Sequence, residues 1–413
     1  MKKKLLLISQ VFYPDEVSTA SLFTDMCSSL VRKGVEVEVW AGHPSYTSLS
    51  RQPRRTIYNG ILVRYLPSSN FHKGSLAGRF LNILTFTISV FFRLLLSNDR
   101  SPVWTHTTPP FTGIAASWIC RLRNRKFVYI LLDIFPEGLI RLGRVSGKNP
   151  LVRLWNWLFF RSLRRSDRII AIGRDMRDWI VTCDNRLKDK TVYIPHWHDE
   201  ETIFPVPKEE NNLIGVYGPS GRFIVQYSGN MGLWNDMSAI GKAVNITPEN
   251  VSFVFVGGGM RKEELTSEFN RPERPEVIMF PFIEKNRFNL SVNAADVHLV
   301  SLGEGLEGMA VPCKIYGILA AGKPVIGMVP ENSEIAYVIR DEKCGIILKP
   351  DDSEGLLKAV EMLRDNKSLC TEMGKNSRKA FENKYKVSII AAKYIDLLDN
   401  LNQTMRLTEK NHL

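Results

Sequence analysis

The sequence predicts an α/β protein with two facing Rossmann-like domains, each built on a parallel sheet. The chain has 413 residues, which exceeds one ordinary core and suits two domains of about 200 residues each. Strand-like and helical segments alternate in both halves, which implies right-handed crossovers and parallel sheets. Residues 199–221 interrupt this rhythm with proline, glycine and charge, as a linker does. We therefore expect one domain over residues 1–205 and another over residues 215–385.

Hydrophobic periodicity places the elements of the first half. One predicted strand alternates like a half-buried strand (Val35–Ala41), whereas another is apolar throughout, as if covered on both faces (Phe127–Leu132). The predicted strands are Leu5–Ser9, Val35–Ala41, Gly60–Tyr65, Val103–Thr105, Phe127–Leu132, Arg168–Ile172 and Thr191–Ile194. The predicted helices span residues 19–33, 80–96, 113–123 and 151–165.

The second half repeats the pattern. The predicted strands are Phe223–Tyr227, Val251–Val256, Val277–Phe280, Val297–Leu299, Pro324–Gly327 and Gly345–Leu348, with helices between them. A long amphipathic helix over Lys386–Leu401 and a polar tail end the sequence. Ligands of open α/β sheets bind at the carboxyl ends of the strands, so two such sheets predict a nucleotide-type ligand in a cleft.

Neither apolar segment of the first half predicts a signal peptide or a membrane span. The run after Met1 is too short for a signal peptide and lacks a small-residue cleavage site. The stretch Phe80–Leu96 is interrupted by Asn82 and Arg93 and is barely of spanning length, since a transmembrane helix needs about 20 apolar residues. We expect a buried or interfacial helix there.

The charge balance points to an anionic partner. The formal net charge is +12 and the isoelectric point is about 9.4, which suits nucleic acid, nucleotide phosphates or an anionic membrane, or a merely basic surface. The sequence contains no aromatic-basic strand motif and no recognisable nucleic-acid module, so we expect no nucleic-acid partner.

The cysteine and histidine patterns predict no metal site. None of the six cysteines is paired at C-x-x-C spacing, and their scatter suits buried small hydrophobes in a reducing compartment. His196 and His198 resemble a short metal pair but have no third ligand near them in sequence.

Five candidate residues in the first half follow predicted strands. Ser18 or Thr19 would cap the next helix. The amino end of that helix could hold an anion, or the helix could be an ordinary capped helix without a ligand. Asp133 follows an apolar strand and could orient or deprotonate a hydroxyl, with Glu137 one turn further, or it caps a turn that Glu137 decorates. His106 also ends a strand, where a lone histidine is more often a loop residue satisfied by its neighbours.

In the second half, the glycine-bearing loop from Gly305 runs into a helix and combines backbone amides with the charge of Lys314. Such an arrangement suits a diphosphate leaving group, although Lys314 could also lie on a solvated helix face. The run Gly257–Gly259 follows a strand, but a tight strand-to-helix turn explains it equally well.

An ordered set of segments along nearly the whole chain resembles the retaining glycosyltransferases of the GT-B fold, family four, and especially those of O-antigen, capsule and colanic-acid biosynthesis, including fucosamine transferases. The segments are FYPDE, TTPPFTGIA, DIFPEGLIRLG, SDRIIAIGRDM, VYIPHWHD, YSGNMG, FVFVGGG and LEGMAVPCKIYGILAAGKPVI. The resemblance implies a UDP-type sugar donor held by the C-terminal domain, an acceptor on the N-terminal domain, retention at the anomeric carbon, and no metal or other cofactor. It also implies that the last helix packs back on the first domain.

The resemblance also implies roles for individual residues. The expected catalytic residues are Asp133 and Glu137, and the expected anion and acceptor residues are Ser18, Thr19 and His106. The expected donor-binding residues are Lys314, Glu307, Gly308, Gly229, Asn230 and Pro312.

The sequence departs from the family at two acidic positions. Two glutamates that the family often carries fall at Met309 and Gly317, and the usual cations after the first strand of the second domain fall near Asn230 and Asn235. Glu307 could replace the first acid if the loop is longer. Lys314 must then offset more of the phosphate charge.

Three hypotheses follow. The first is a transferase that builds a cell-envelope glycan on a lipid-linked saccharide acceptor, in the cytoplasm and peripheral on the inner face of the plasma membrane. An anionic membrane surface would then contact the apolar helix and nearby arginines. The second is a nucleotide-sugar epimerase of GT-B shape, which needs no acceptor. The third is a degenerate, non-catalytic transferase subunit, which the missing acids favour.

Overall fold

The computed structural model describes residues 3–43, 52–71, 76–217, 221–269 and 276–410. The chain forms two compact units, of which the first comprises residues 1–195 and 387–413 and the second residues 196–386. Each unit is an α/β sandwich around its own sheet. The predicted α/β class and the parallel sheets are confirmed.

The sheet of the first unit has eight strands in the order β3-β4-β2-β1-β5-β6-β7-β8. All neighbours are parallel except β3 and β4, which pair antiparallel. The strands are β1 Lys4–Ser9, β2 Glu36–Ala41, β3 Arg55–Tyr58, β4 Ile61–Tyr65, β5 Val103–His106, β6 Phe127–Leu131, β7 Arg168–Ala171 and β8 Thr191–Tyr193. The sequence did not predict β3, an edge strand whose alternate residues are exposed.

Helices of the first unit follow the strands as crossovers. They are α1 Ser18–Arg32, α2 Leu76–Leu95, α3 Pro110–Leu122, α4 Glu137–Arg141, α5 Pro150–Arg165 and α6 Arg174–Cys183. Because α-helices cover both faces of a parallel sheet, central strands such as β6 are buried at every residue.

The second unit has a six-stranded, fully parallel sheet in the order β11-β10-β9-β12-β13-β14. Its strands are β9 Phe223–Ser228, β10 Val251–Val256, β11 Val277–Phe280, β12 Val297–Ser301, β13 Val325–Met328 and β14 Gly345–Leu348. Its helices are α7 Ser238–Val244, α8 Lys262–Ser267, α9 Lys285–Ala294, α10 Lys314–Ala320, α11 Glu334–Glu342, α12 Ser353–Asp365 and α13 Lys367–Ala380.

The segment predicted as a linker is anchored to the second unit. The Tyr217 hydroxyl lies 2.6 Å from that of Ser291, and the Asn211 side chain donates to the Leu290 carbonyl at 2.8 Å. Leu213 and Tyr217 are buried in the same apolar cluster as Ile224 on β9. The predicted linker therefore packs on the second unit, because Leu213 and Tyr217 stand among its prolines and charged residues and supply apolar contacts.

The last helix, α14 Val387–Lys410, belongs to the first unit. It packs on α1, and the Tyr394 ring lies 5.3 Å from the Trp104 ring, centroid to centroid. Lys3 and Asp399 add an ion pair at 2.6 Å. Burial of Tyr394 and Trp104 attaches α14 to the unit from which the chain departed near residue 195.

Helix α2 is apolar on two sides. Its inner side chains Phe86, Val90 and Leu94 are fully buried, whereas Phe80 and Phe92 are each 56% exposed. By length and composition alone, the window Ala77–Leu95 could cross a membrane, and 28% of it is buried in the structure. One such helix is weak evidence for a membrane span, because core helices of other proteins meet the same criteria. Since α2 packs along α3 as part of the first unit, it fits the predicted buried or interfacial helix better than a span.

The close packing of β13 against β14 in the second sheet can be tested by substitution of a glycine. A Cβ on Gly345 would lie 1.9 Å from the Val325 carbonyl oxygen, so we expect Gly345→Ala to lower the free energy of unfolding by about 1–3 kcal/mol. Chemical denaturation measures this change. The matched control is Gly215→Ala, since Gly215 has nothing within 4 Å of its Cβ position, and we expect a change within about 0.5 kcal/mol there. Equal effects at both positions would contradict the packing of β13 against β14.

Candidate functional site

The second sheet reverses its strand order beside β9, which has β10 on one side and β12 on the other. Ligands of open α/β sheets bind at the carboxyl ends of the strands at such a switch point. Gly229 follows the end of β9, and the loop that begins after Ser301 of β12 leads to Lys314 at the start of α10. The structure thus brings together two segments that the sequence presented more than 80 residues apart.

Lys314 is the most unusual charge in this region. Its ammonium nitrogen lies 3.5 Å from the centre of the Tyr227 ring, and a Cβ on Gly229 would lie 3.8 Å from the same nitrogen. Part of the side chain is exposed, but the nitrogen itself is buried and has no hydrogen-bond partner among the described residues. Burial lowers the pKa of Lys314 to about 7. A cation–π contact offsets only part of the cost of burying an ammonium group, so an anion at this point would be strongly favoured.

Glycines let two loops meet backbone to backbone beside Lys314. Gly229 has a φ of 116° and Gly257 a φ of 124°, a region that other residues rarely adopt. A Cβ on Gly257 would lie only 2.3 Å from the Gly229 carbonyl oxygen. The amide of Gly229 donates to the carbonyl of Val256 at 2.8 Å. Gly257 is therefore needed for the close approach of the two backbones that supports Gly229.

The other predicted donor-binding residues lie in the same two loops. Asn230 is exposed next to Gly229, and its carbonyl accepts a hydrogen bond from the Tyr227 hydroxyl at 3.1 Å. Glu307 and Pro312 are partly buried in the loop between β12 and α10, where Gly308 has a φ of 75°. Each of these assignments remains a prediction, while the shared location of the segments is a structural fact.

The two positions at which the resembled family carries acids hold no polar side chain. Met309 is fully buried. Gly317 lies inside α10, where a Cβ would be 3.2 Å from Ile203 and 3.3 Å from the His198 ring. Side chains from the segment before β9 therefore occupy the space beside Gly317.

In the first unit, His106 is enclosed by its neighbours. It ends β5, lies 2.8 Å from the Ser9 hydroxyl through Nε2, and stacks on Phe23 with ring centroids 4.8 Å apart. The side chain is 1% exposed, and burial lowers its pKa to about 3. Neutral His106 thus joins β1, β5 and α1 in the interior.

Asp133 lies beside this position, because β5 and β6 are neighbouring parallel strands. The Thr107 hydroxyl oxygen accepts from the Asp133 amide at 3.1 Å, and the Thr108 hydroxyl donates to the Asp133 carboxylate at 3.4 Å. Glu137 begins α4 and forms an ion pair with Arg141 at 3.4 Å. Of the two acids predicted to be catalytic, Glu137 is therefore the one whose carboxylate is paired with an arginine, Arg141, one helical turn away.

The predicted capping role of Ser18 and Thr19 was wrong. Helix α1 begins at Ser18, and its N-cap is Val17, whose side chain forms no capping hydrogen bond. Both residues therefore lie within the first turn of the helix and not at its N-cap. Their proposed part in an anion or acceptor loop stays a prediction.

Tyr227 is a site residue that sequence reasoning missed. It is the penultimate residue of β9, two residues before Gly229, and its ring lies against the buried nitrogen of Lys314. The signal available in the sequence was an aromatic residue near the end of a predicted strand, two residues before a loop glycine.

The described residues contain no group of three or more histidine, cysteine, aspartate or glutamate side chains placed to hold a metal ion. The six cysteines are free thiols; three are buried, whereas Cys183 is exposed and so departs from the predicted burial.

Two family profiles match the chain. One is described as a glycosyl transferase 4-like domain and matches residues 20–197, and the other as glycosyl transferases group 1 and matches residues 220–366. Together they cover most of both units.

Two curated relatives and one solved structure are similar over long stretches. WbjE of Pseudomonas aeruginosa, named a glycosyltransferase, is 30% identical over 240 residues, 57% of this chain and 59% of the relative. WcaI of Escherichia coli K12, named a colanic acid biosynthesis glycosyl transferase, is 22% identical over 86% of this chain and 91% of its own length. HepE of Anabaena, solved with UDP and glucose, superposes with a TM-score of 0.73 at 15% identity, covering 96% of this chain and all of HepE.

The likeness to HepE concerns the fold, while the paired profiles concern the family. Their order along the chain matches the two units, and the match to WbjE spans about three fifths of that relative's length. The chain belongs to the glycosyltransferases of the GT-B fold.

Proposed function

We propose that this glycosyltransferase moves a hexosyl or N-acetylhexosaminyl group from a UDP-linked donor, with retention at the anomeric carbon, to a lipid-linked saccharide of a cell-envelope polysaccharide such as O-antigen or capsule. The names of WbjE and WcaI support the polysaccharide context, and the UDP bound in HepE supports the donor class.

The buried ammonium of Lys314 carries the donor half of the proposal. A diphosphate leaving group gains negative charge as the glycosidic bond breaks, and a preplaced cation in a desolvated site stabilises that charge. Lys314 Nζ has no partner among the described residues and stands at the switch point of the sheet, beside Gly229. The diphosphate would supply the missing anion.

We further propose that donor binding requires no metal ion. Diphosphates in proteins are neutralised by metal ions, by lysine or arginine, or by backbone amides. Lys314 offers a full charge at the switch point. Nucleotide binding should therefore persist in a chelator.

The acceptor half involves the carboxyl ends of β5 and β6. Asp133 is held there by Thr107 and Thr108, so its carboxylate is positioned to orient an acceptor hydroxyl. Glu137 follows within the same segment. We assign the acceptor to this edge, with the amino end of α1 at Ser18 and Thr19 as a further contact.

A lipid-linked acceptor requires access to a membrane, and the first unit has a suitable surface. Helix α2 packs on α3, and α3 packs on α5. The exposed large apolar side chains of these three helices, which we call the apolar face, are Phe80, Leu81, Leu84, Ile88, Phe92, Phe111, Trp118, Leu122, Leu151, Leu154 and Trp157. Contiguous apolar surfaces of this kind mark interaction sites.

Arginines are interleaved with this face. The Arg165 guanidinium lies 3.4 Å from the centre of the Trp118 ring, and that of Arg161 lies 5.1 Å from the Trp157 ring. Aromatic side chains settle at the membrane interface, and basic side chains are attracted to anionic lipid. We propose peripheral attachment of the apolar face to the inner, cytoplasmic leaflet of the plasma membrane.

Replacing Lys314 tests the donor site. We expect the unaltered protein to bind UDP in EDTA, and Lys314→Ala to weaken binding by about 1.5–3 kcal/mol because one charge-assisted contact is lost. Isothermal titration calorimetry measures both affinities.

The matched control is Lys358→Ala, which removes an exposed lysine from α12 of the same unit and should leave UDP affinity unchanged. Failure of the unaltered protein to bind UDP, or equal affinity of Lys314→Ala, would contradict the proposed donor site. Conversion of a UDP-sugar without any acceptor would instead favour an epimerase.

Replacing two exposed phenylalanines tests the membrane surface. We expect the protein to bind phosphatidylglycerol vesicles at low salt, to be released by high salt, and to lose at least about tenfold in affinity in the double variant Phe80→Ser, Phe92→Ser. Vesicle sedimentation gives the affinities.

A second double variant, Ile246→Ser with Met260→Ser, removes two apolar side chains of the second unit that are even more exposed, and it should bind vesicles normally. Indifference of the unaltered protein to anionic vesicles would refute membrane attachment while leaving the donor site untouched.

A further inference from the structure

We propose that His198 Nε2 accepts a hydrogen bond from a hydroxyl group of the bound nucleotide sugar. This inference rests on the proposed function, since it adds a second contact beside Lys314. Its basis is the placement of one imidazole ring against the helix that begins with Lys314.

His198 is held in place by backbone contacts within the second unit. Its amide donates to the Tyr385 carbonyl at 3.1 Å, and its backbone forms a bridge to Lys386. The ring edge formed by Cδ2 and Nε2 faces α10, where these atoms would lie 3.3 and 3.6 Å from a Cβ on Gly317. The absence of a side chain at Gly317 allows the ring to lie this close to the helix.

The tautomer of His198 follows from the neighbours of Nδ1. This nitrogen lies 3.3 Å from the Asp199 carbonyl oxygen and 3.3 Å from the Thr202 hydroxyl. The Thr202 hydroxyl donates its own hydrogen to the same carbonyl at 3.0 Å, so both groups offer Nδ1 an acceptor. Nδ1 therefore holds the ring proton, and Nε2 presents a lone pair.

The surroundings keep the ring neutral. Burial, the largest cause, lowers the pKa of His198 and outweighs the opposing effects of the Asp199 carbonyl and carboxylate, while nearby Lys285 acts in the same direction as burial. No described residue hydrogen-bonds Nε2. The free nitrogen is therefore an acceptor at neutral pH and would receive a hydrogen bond from a hydroxyl group rather than from a phosphate.

The position of this acceptor relative to Lys314 suggests the ligand. Residues three apart lie on one face of a helix, so Lys314 and Gly317 of α10 present neighbouring groups. A cation next to a neutral acceptor matches a nucleotide sugar, in which a diphosphate is flanked by hydroxyl-bearing rings on both sides. The hydroxyl belongs either to the ribose or to the transferred sugar.

The test compares ligands with and without the hydroxyl groups. If His198 contacts the ribose, the unaltered protein should bind 2′,3′-dideoxy-UDP about three- to tenfold more weakly than UDP, and His198→Phe should bind both equally weakly. If it contacts the sugar, His198→Phe should bind UDP normally but lose a similar factor for UDP-glucose. His198→Gln, which retains an acceptor, should recover part of either loss.

The outcomes separate this contact from the donor site itself. Absence of UDP binding by the unaltered protein would overturn the proposed function and this contact together. Retained UDP binding that Lys314→Ala weakens, with affinities for UDP, its dideoxy analogue and UDP-glucose all unchanged by His198→Phe, would overturn the role of His198 alone. The comparison of UDP with its dideoxy analogue needs no variant and reports whether a ribose hydroxyl is bound, and the conservative His198→Gln assigns that contact to residue 198 if His198→Phe disturbs folding.

Discussion

A lysine ammonium held in the protein interior without an anion is the constraint on which the candidate site depends. Lys314 reaches the end of β9 and lies over Tyr227, at a cost in solvation that depresses its pKa. Both helix α10 and the glycine-supported loop after β9 are needed to place it there. A site that holds a buried lysine without an anion is arranged for an anionic ligand, because the negative charge of the ligand stabilises the protonated form that burial disfavours.

The parallel sheets and their order follow from sequence patterns of physical origin. Strands buried on both faces must be apolar, so β6 and β10 stood out directly, and their alternation with helices required crossovers. The exposed edge strand β3 escaped detection because it has no such burial requirement. The predicted start of α1, residue 19, is one position later than the observed start at Ser18. The difference arises because serine is a good capping residue, whereas Ser18 lies inside the first turn.

The site was only partly visible in the sequence. Lys314 and the glycines were predicted because their residue types are typical of phosphate-binding sites. The roles of the Tyr227 ring and of the His198 ring edge could not be predicted, because they arise from contacts between segments far apart in the chain. Sequence alone also left His106 ambiguous, whereas its packing on Ser9 and Phe23 shows an interior residue. Residue type could suggest chemistry, while burial and partners decided which groups remain available to a ligand.

The number of protons taken up on nucleotide binding tests the account most directly. At pH 8 the phosphates of UDP are fully ionised, while a lysine with a pKa of about 7 is mostly neutral and must gain a proton to pair with them. Calorimetric titrations in buffers of different ionisation enthalpy should show net proton uptake by the unaltered protein, up to one proton per bound nucleotide, and none by Lys314→Met. Tight UDP binding with no proton uptake at pH 8 would contradict a buried, unpaired Lys314 as the diphosphate cation.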